Sequence, residues 1–258
     1  MRVAAVQHDV AWEDRDATLA RVEPQLRAAA GAGARLVVLT EMFPTGFSME
    51  PERVAEAEGG PSTDFLRTRA GELGVWLAGS VPIRPDGAVL PVNRLLLAGP
   101  GGELEHYDKL HPFTYSGEQE HYAAGTRRVT VDVEGVRVTP FVCYDLRFAD
   151  EFWAEAPGTD CYVVVANWPA ARRAHWQALL VARAIENQAY VVGVNRVGRD
   201  PSHAYNGRSL IIDPQGEILA DAGENEGCIR WQLDLGSLRK YREGLPFLAD
   251  MAKPVMPR

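Results

Sequence analysis

The sequence predicts an α/β fold built on mixed sheets, and three observations carry that prediction. Continuous apolar runs of strand length recur, as in Arg35–Thr40 and Cys161–Ala166, which is the pattern of strands covered on both faces. Segments with helical spacing separate several of these runs; in Arg173–Asn187, Trp176, Leu179, Leu180 and Ala184 fall on one side. Other runs are joined directly across Gly99-Pro100-Gly101-Gly102 and Glu134-Gly135, hairpin signals because glycine supplies the positive φ of tight turns.

In chain order, Met1–Gln7 reads as a strand and Ala17–Ala30 as an alanine-rich helix stopped by Gly31 and Gly33. Arg35–Thr40 is a strand ending on Glu41, Ser62 caps a helix running to Leu73, and Val75–Ser80 is the next strand. Asn93–Ala98 pairs with the segment around His106, and Val129–Val133 with Val136–Val142. Cys161–Ala166 ends on Asn167, Arg173–Asn187 is a helix, and Ala189–Val194 ends on Asn195. Leu210–Ile212, Ile218–Ala220 and Cys228–Leu233 close the fold; a short charged helix follows Gly236, and a proline-rich tail ends at Arg258. No repeat or break in composition divides the chain, so residues 1–258 read as a single domain, with the tail from about 245 to 258 placed against a neighbouring subunit.

The formal net charge of -8, without a basic run, argues against a nucleic-acid binder, since phosphate contacts need clustered Lys and Arg. Neither a leader-like apolar segment nor a run long enough to span a bilayer is present, which predicts a cytoplasmic protein with no membrane partner. Cys143, Cys161 and Cys228 show no CxxC spacing, and no histidine pair has metal-ligand spacing, so neither a disulfide framework nor a metal site is expected.

Several strand-like runs finish on a polar group: Glu41, Cys143, Asn167 and Asn195. In α/β sheets ligands bind beyond the carboxyl ends of strands, so groups distant in sequence gather there. Cys143 ends the run Thr139–Val142 and is followed at once by Tyr144, Asp145 and Arg147. A free thiol is largely protonated at neutral pH and needs a base or a positive field to act as a nucleophile. No histidine lies nearby in sequence, which leaves a carboxylate such as Glu41 as the alternative base; taken alone, Cys143 is more often a buried inert thiol.

Three segments, Leu39-Thr40-Glu41-Met42-Phe43, Tyr107-Asp108-Lys109-Leu110-His111 and Val142-Cys143-Tyr144-Asp145-Leu146-Arg147-Phe148, resemble in order the signature segments of the nitrilase, or carbon–nitrogen hydrolase, superfamily. The resemblance spans nearly the whole chain. It implies a four-layer α-β-β-α sandwich and a Glu-Lys-Cys triad, with Glu41 as general base, Lys109 as the cation that stabilises the intermediate, and Cys143 as nucleophile. It implies no cofactor, and a homodimer. Glu118 matches a second glutamate that family members carry beside the lysine, with the role of orienting Lys109 and substrate.

The finer resemblance is to the bacterial branch of the omega-amidases, through Cys143–Phe148, Ala166-Asn167-Trp168-Pro169 with Arg172, Arg173, His175 and Trp176, and Arg183–Asn187. It implies hydrolysis of the terminal carboxamide of a 2-oxo dicarboxylic monoamide through a thioester. Another small-amide hydrolase, acting on N-carbamoyl amines or deaminated glutathione, is the alternative; a nitrilase or a non-catalytic binding subunit fits less well. Arg172 and Arg173, just past a strand end, are placed to hold a substrate carboxylate, or else to solvate the next helix. Tyr115, Phe113 and Trp168 are expected to wall the pocket, with Asn167 and His175 among the substrate contacts, and the resemblance implies that the backbone N–H of Tyr144 joins Lys109 in holding the negative oxygen. Asp145 and Arg147 are expected to brace the turn after Cys143, and Arg183 with Glu186 to form a structural ion pair.

Overall fold

In the computed structural model, which describes residues 1–251, two sheets stack face to face with helices on both outer faces. The first sheet has the order Gly227–Gln232, Arg2–Gln7, Leu36–Val38, Trp76–Arg84, Val92–Ala98, Leu104–Asp108, with Glu56–Ala57 beside Trp76–Arg84. The second runs Ile218–Asp221, Leu210–Ile212, Tyr190–Asn195, Cys161–Ala166, Val136–Val142, Val131–Val133. Both are mixed. Parallel pairs lie at their centres and antiparallel pairs at their flanks. A separate antiparallel ribbon joins Val197–Arg199 to Ala204–Asn206.

The alternation of side chains along each strand sorts the core into layers. From the first sheet, Val3, Ala5, Leu36, Val38, Ala78, Leu95 and Leu97 point inward to meet the second, in a cluster that continues to Trp176, Leu180 and Ala184 of the helix Arg173–Asn187. Their sequence neighbours Ala4, Val6, Val37, Leu77 and Leu96 point the other way, onto Val22 and Leu26 of Arg15–Gly31 and Leu66 and Ala70 of Pro61–Leu73. Helix, sheet, sheet, helix is the expected four-layer sandwich.

Local departures from the sequence reading have simple causes. Ser62 is not the helix cap. Pro61 occupies the first helical turn after Gly60, and Ser62 is buried with its hydroxyl donating to Glu56 at 2.6 Å. The expected strand Arg35–Thr40 pairs only over Leu36–Val38, because the chain turns into the loop that carries Glu41. At Glu134-Gly135 both residues have positive φ, 52° and 81°, as a two-residue hairpin turn requires. Arg183 pairs with Glu186 at 2.7 Å and also donates to the carbonyl of Leu146 at 2.7 Å, tying the helix to the turn after Cys143. Of the proline-rich tail, residues 252–258 lie outside the described residues. Among the described residues no helix is long and apolar enough to cross a membrane.

His8, one residue past the first strand, is fully buried. Its Nδ1 faces the carbonyl of Asp9 at 3.2 Å and therefore carries the proton, leaving Nε2 to accept from the Thr40 hydroxyl at 3.1 Å. Burial lowers its pKa from the ordinary 6.5 to about 4. Between those values the unfolded chain binds the extra proton and the folded chain does not. Stability contributed here is therefore present above pH 6.5 and is lost as the pH falls toward about 4. In His8→Gln this part of the pH dependence of the unfolding free energy should vanish; a variant with the wild-type slope between those pH values would assign it elsewhere.

Candidate active site

Glu41, Lys109, Glu118 and Cys143 meet between the two sheets, at the strand ends. Glu41 sits in the turn after Leu36–Val38, Lys109 directly follows Leu104–Asp108, and Glu118 opens the short helix Glu118–His121. Cys143 directly follows Val136–Val142 and starts a 3-10 turn, Cys143–Arg147. Its φ of 47°, unusual for a non-glycine residue, turns the chain sharply at the thiol.

Lys109 Nζ donates to Glu41 Oε1 at 2.9 Å and to Glu118 Oε2 at 2.8 Å. Glu41 Oε1 also accepts from Asn93 Nδ2 at 2.9 Å, and Oε2 accepts from the backbone N–H of Asn167 at 2.8 Å. Asn93 is oriented in turn by Ser80, whose hydroxyl donates to Asn93 Oδ1 and accepts from the backbone N–H of Met42, both at 2.7 Å. Every one of these side chains is at most 4% exposed. The polar atoms are shared so fully that each group's position depends on the others.

The electrostatics follow from one cation among two buried carboxylates. Burial works to lower the Lys109 pKa, but Glu118 and Glu41 outweigh it and hold the ammonium protonated. Burial, and behind it the charge of Glu41, raises Glu118 against the pull of Lys109. The thiol of Cys143 is pushed well above its usual range by burial first, then by the charge of Glu41, with Lys109 opposing. The resting sulfur is a neutral thiol beside a carboxylate able to take its proton.

A cavity of about 320 Å³ opens from this cluster. Its wall includes Glu41, Cys143, Tyr144, Phe113, Asn167, Trp168 and Arg172. The other three anticipated substrate contacts lie off it. Tyr115 is 86% exposed and touches the site only by packing against the Phe113 ring. Arg173 opens the helix Arg173–Asn187 with its side chain turned outward to Glu224, 3.3 Å away. His175 is exposed on the same helix, 3.2 Å from Arg147 Nη2. Arg147 itself lines the cavity, its guanidinium 4.9 Å over the Trp168 ring, while Arg172 lies 5.5 Å over Phe113. Arg147 therefore does more than brace the turn. Phe47, Trp12 and Tyr205, far apart in the chain, complete an aromatic wall that no spacing could reveal. Among the described residues no cluster of His, Cys, Asp and Glu could hold a metal ion.

The sandwich and the thiol–carboxylate–ammonium cluster define an amidohydrolase of the nitrilase type. Residues 2–243 match the carbon-nitrogen hydrolase family, and the chain belongs to that family. It is 42% identical over 253 residues to the omega-amidase YafV of Escherichia coli strain K12, covering 97% of this chain and 96% of that protein. It is 34% identical over 226 residues to the 2-oxoglutaramate amidase of Bacillus subtilis strain 168, covering 85% and 86%. Among solved structures, a CN-hydrolase superfamily protein of Xanthomonas campestris with an arsenic adduct in its active site superposes with a TM-score of 0.92 at 37% identity, over 100% of this chain and 99% of that one.

Asp145 braces the turn at Cys143. Its Oδ2 accepts from the backbone N–H of Val142 at 3.0 Å and the Tyr107 hydroxyl at 2.8 Å, and its Oδ1 from the backbone N–H of His111 at 2.9 Å. Burial raises its pKa to about 6 in spite of these donors. In Asp145→Asn the amide nitrogen must face a backbone N–H whichever way it is turned. Stability in urea should fall by about 1–3 kcal/mol, with kcat falling alongside it; an unchanged unfolding midpoint would free the turn from this brace.

Proposed function

We propose that the chain hydrolyses the terminal carboxamide of a small 2-oxo dicarboxylic monoamide, of the 2-oxoglutaramate or 2-oxosuccinamate type, to the acid and ammonia. The observation that carries this reading is a cavity lined by a thiol, Cys143, and a carboxylate, Glu41, which the Lys109 ammonium holds from behind, with two guanidinium groups, Arg147 and Arg172, on the same wall. An amide at one end of the substrate and a carboxylate at the other match these two sets of groups. The names of the relatives agree with that chemistry.

In this reading Glu41 takes the thiol proton as Cys143 Sγ attacks the carboxamide carbon. The carbonyl π electrons move onto oxygen, where Lys109 and the backbone N–H of Tyr144 stabilise the negative charge, a term of about 2.7–4 kcal/mol per donor. The tetrahedral adduct collapses, the C–N bond breaks, and Glu41 returns the proton to the departing nitrogen as ammonia leaves. Glu41 then takes a proton from water, whose oxygen attacks the thioester; the C–S bond breaks and the proton returns to sulfur. Glu118 gives Lys109 a second carboxylate beside Glu41 and keeps the ammonium aimed at the developing charge.

Carboxylate recognition falls to Arg147 and Arg172, because both line the cavity with their guanidinium groups against the rings of Trp168 and Phe113, and a guanidinium offers paired donors to a planar anion. We also read the chain as one half of a homodimer, since Ile185, Leu245 and Phe247 hold 45%, 44% and 48% exposure, apolar area that pairing would remove from water. A monomer mass in light scattering at micromolar concentration would contradict it.

Cys143→Ala should abolish ammonia release from 2-oxoglutaramate or succinamate; retained turnover in the purified variant would remove the thioester route. Arg147→Ala and Arg172→Ala should each raise KM for succinamate about tenfold or more, with little change for a neutral amide of equal length. Arg173→Ala should leave both substrates within about twofold, as expected of an exposed ion pair. Equal losses on charged and neutral amides in the first two variants would show that they do not hold a carboxylate.

A further inference from the structure

Trp76 and Ala78 of the strand Trp76–Arg84, and Leu95 and Leu97 of the strand Val92–Ala98, belong to the apolar layer between the two sheets. Ser80 and Asn93 continue the same alternation, so both side chains fall where that layer would take an apolar residue. Both are buried, and neither is among the residues that line the cavity. The fold alone has little use for such a pair, since apolar groups of the same shape in place of two bonded polar ones are nearly neutral. Their hydrogen bonds lead instead into the site. The Ser80 hydroxyl accepts from the backbone N–H of Met42, so its single hydrogen goes to Asn93 Oδ1, which fixes the amide with its nitrogen toward the carboxylates. Asn93 Nδ2 donates to Glu41 Oε1 at 2.9 Å and more loosely to Glu118 Oε1 at 3.4 Å. The backbone carbonyl of Asn93 accepts from the backbone N–H of Lys109 at 3.0 Å. One uncharged residue thus bonds to Glu41, Glu118 and Lys109 together.

We propose that Asn93 is a positioning residue for the reaction: its amide and carbonyl fix the two carboxylates and the lysine relative to one another, and so set the rate at which Glu41 moves a proton, without touching substrate. The assignment rests on the roles given above to Glu41, Lys109 and Cys143, and deepens them. Two buried carboxylates that share one ammonium repel each other, and an uncharged donor reaching both offsets that repulsion. When Lys109 shares its hydrogens with the substrate oxygen, Asn93 still holds Glu41 Oε1 in place. Small displacements of a base from its proton donor are expensive in rate, which is why a residue off the cavity wall controls chemistry more than binding.

Asn93→Leu keeps the shape of the amide and removes its donors; Asn93→Ala removes the whole amide and decides the matter where the leucine variant does not fold. In folded protein of either variant, kcat for succinamate should fall about tenfold or more, the worth of a hydrogen bond to a charged group. Binding is read separately in Cys143→Ala, which cannot turn over. There the Kd of succinamate should change by less than about twofold when either Asn93 substitution is added, since the residue lies off the cavity wall. A purely structural role predicts the reverse: a lower unfolding midpoint in Asn93→Ala, restored in Asn93→Leu, with kcat of the folded protein unchanged. Unchanged kcat in either folded variant, or a loss of succinamate binding as large as the fall in kcat, overturns the assignment. Turnover retained in Cys143→Ala would instead remove the underlying reading of the site, an outcome distinct from both.

Discussion

The buried carboxylate of Glu41 is the constraint on which the rest of the site depends. It is held by Lys109 and Asn93 from one sheet and by the backbone of Asn167 from the other, so a single charge joins both halves of the sandwich. A carboxylate taken out of water is tolerable only with such partners, and removing one partner from a buried ionic pair costs about 3–5 kcal/mol. Packing around this group is therefore tied to chemistry. With Glu118 also on Lys109, the cluster holds one cation against two carboxylates, an imbalance that adds to burial in keeping the neighbouring thiol protonated.

Two turns with unfavourable backbone angles aim the reacting groups into the cavity. Met42, after Glu41, has a φ of 38°, and Cys143 one of 47°. Each such residue costs about 1–3 kcal/mol and persists only when its surroundings over-determine it. Here each turn has a polar clamp: the Ser80 hydroxyl on the N–H of Met42, and the Asp145 carboxylate on the N–H of Val142. Both clamps are reached from strands of the first sheet, Ser80 directly and Asp145 through the Tyr107 hydroxyl. The sheets thus hold the strain that the site uses.

How much of this was legible in the sequence varies with the physics behind each feature. Apolar runs ending on Glu41, Cys143 and Asn167 marked strand ends, because burial of both sheet faces leaves a signal in composition. The helix Arg173–Asn187 was readable to its bounds from spacing alone. The choice among neighbouring arginines was not. Arg172 and Arg173 are adjacent, yet at the start of a helix successive side chains diverge, and one faces the cavity while the other faces Glu224. Arg147 was placed in the turn but not on the wall, since its position over Trp168 depends on a residue 21 positions further along the chain that only the fold brings beside it. Asn93 and Ser80 carried no signal, being polar residues at the start of one strand and inside another whose importance lies wholly in what they touch.

The protonated state of Cys143 has a consequence beyond catalysis. Peroxides and disulfides are attacked by thiolates, and a thiol that stays neutral offers them little. The burial and the adjacent carboxylate that push the Cys143 thiol up therefore also lower its reactivity toward such oxidants. The protonation of the thiol and its low reactivity toward oxidants are one property, set by the burial and charge that surround one sulfur atom.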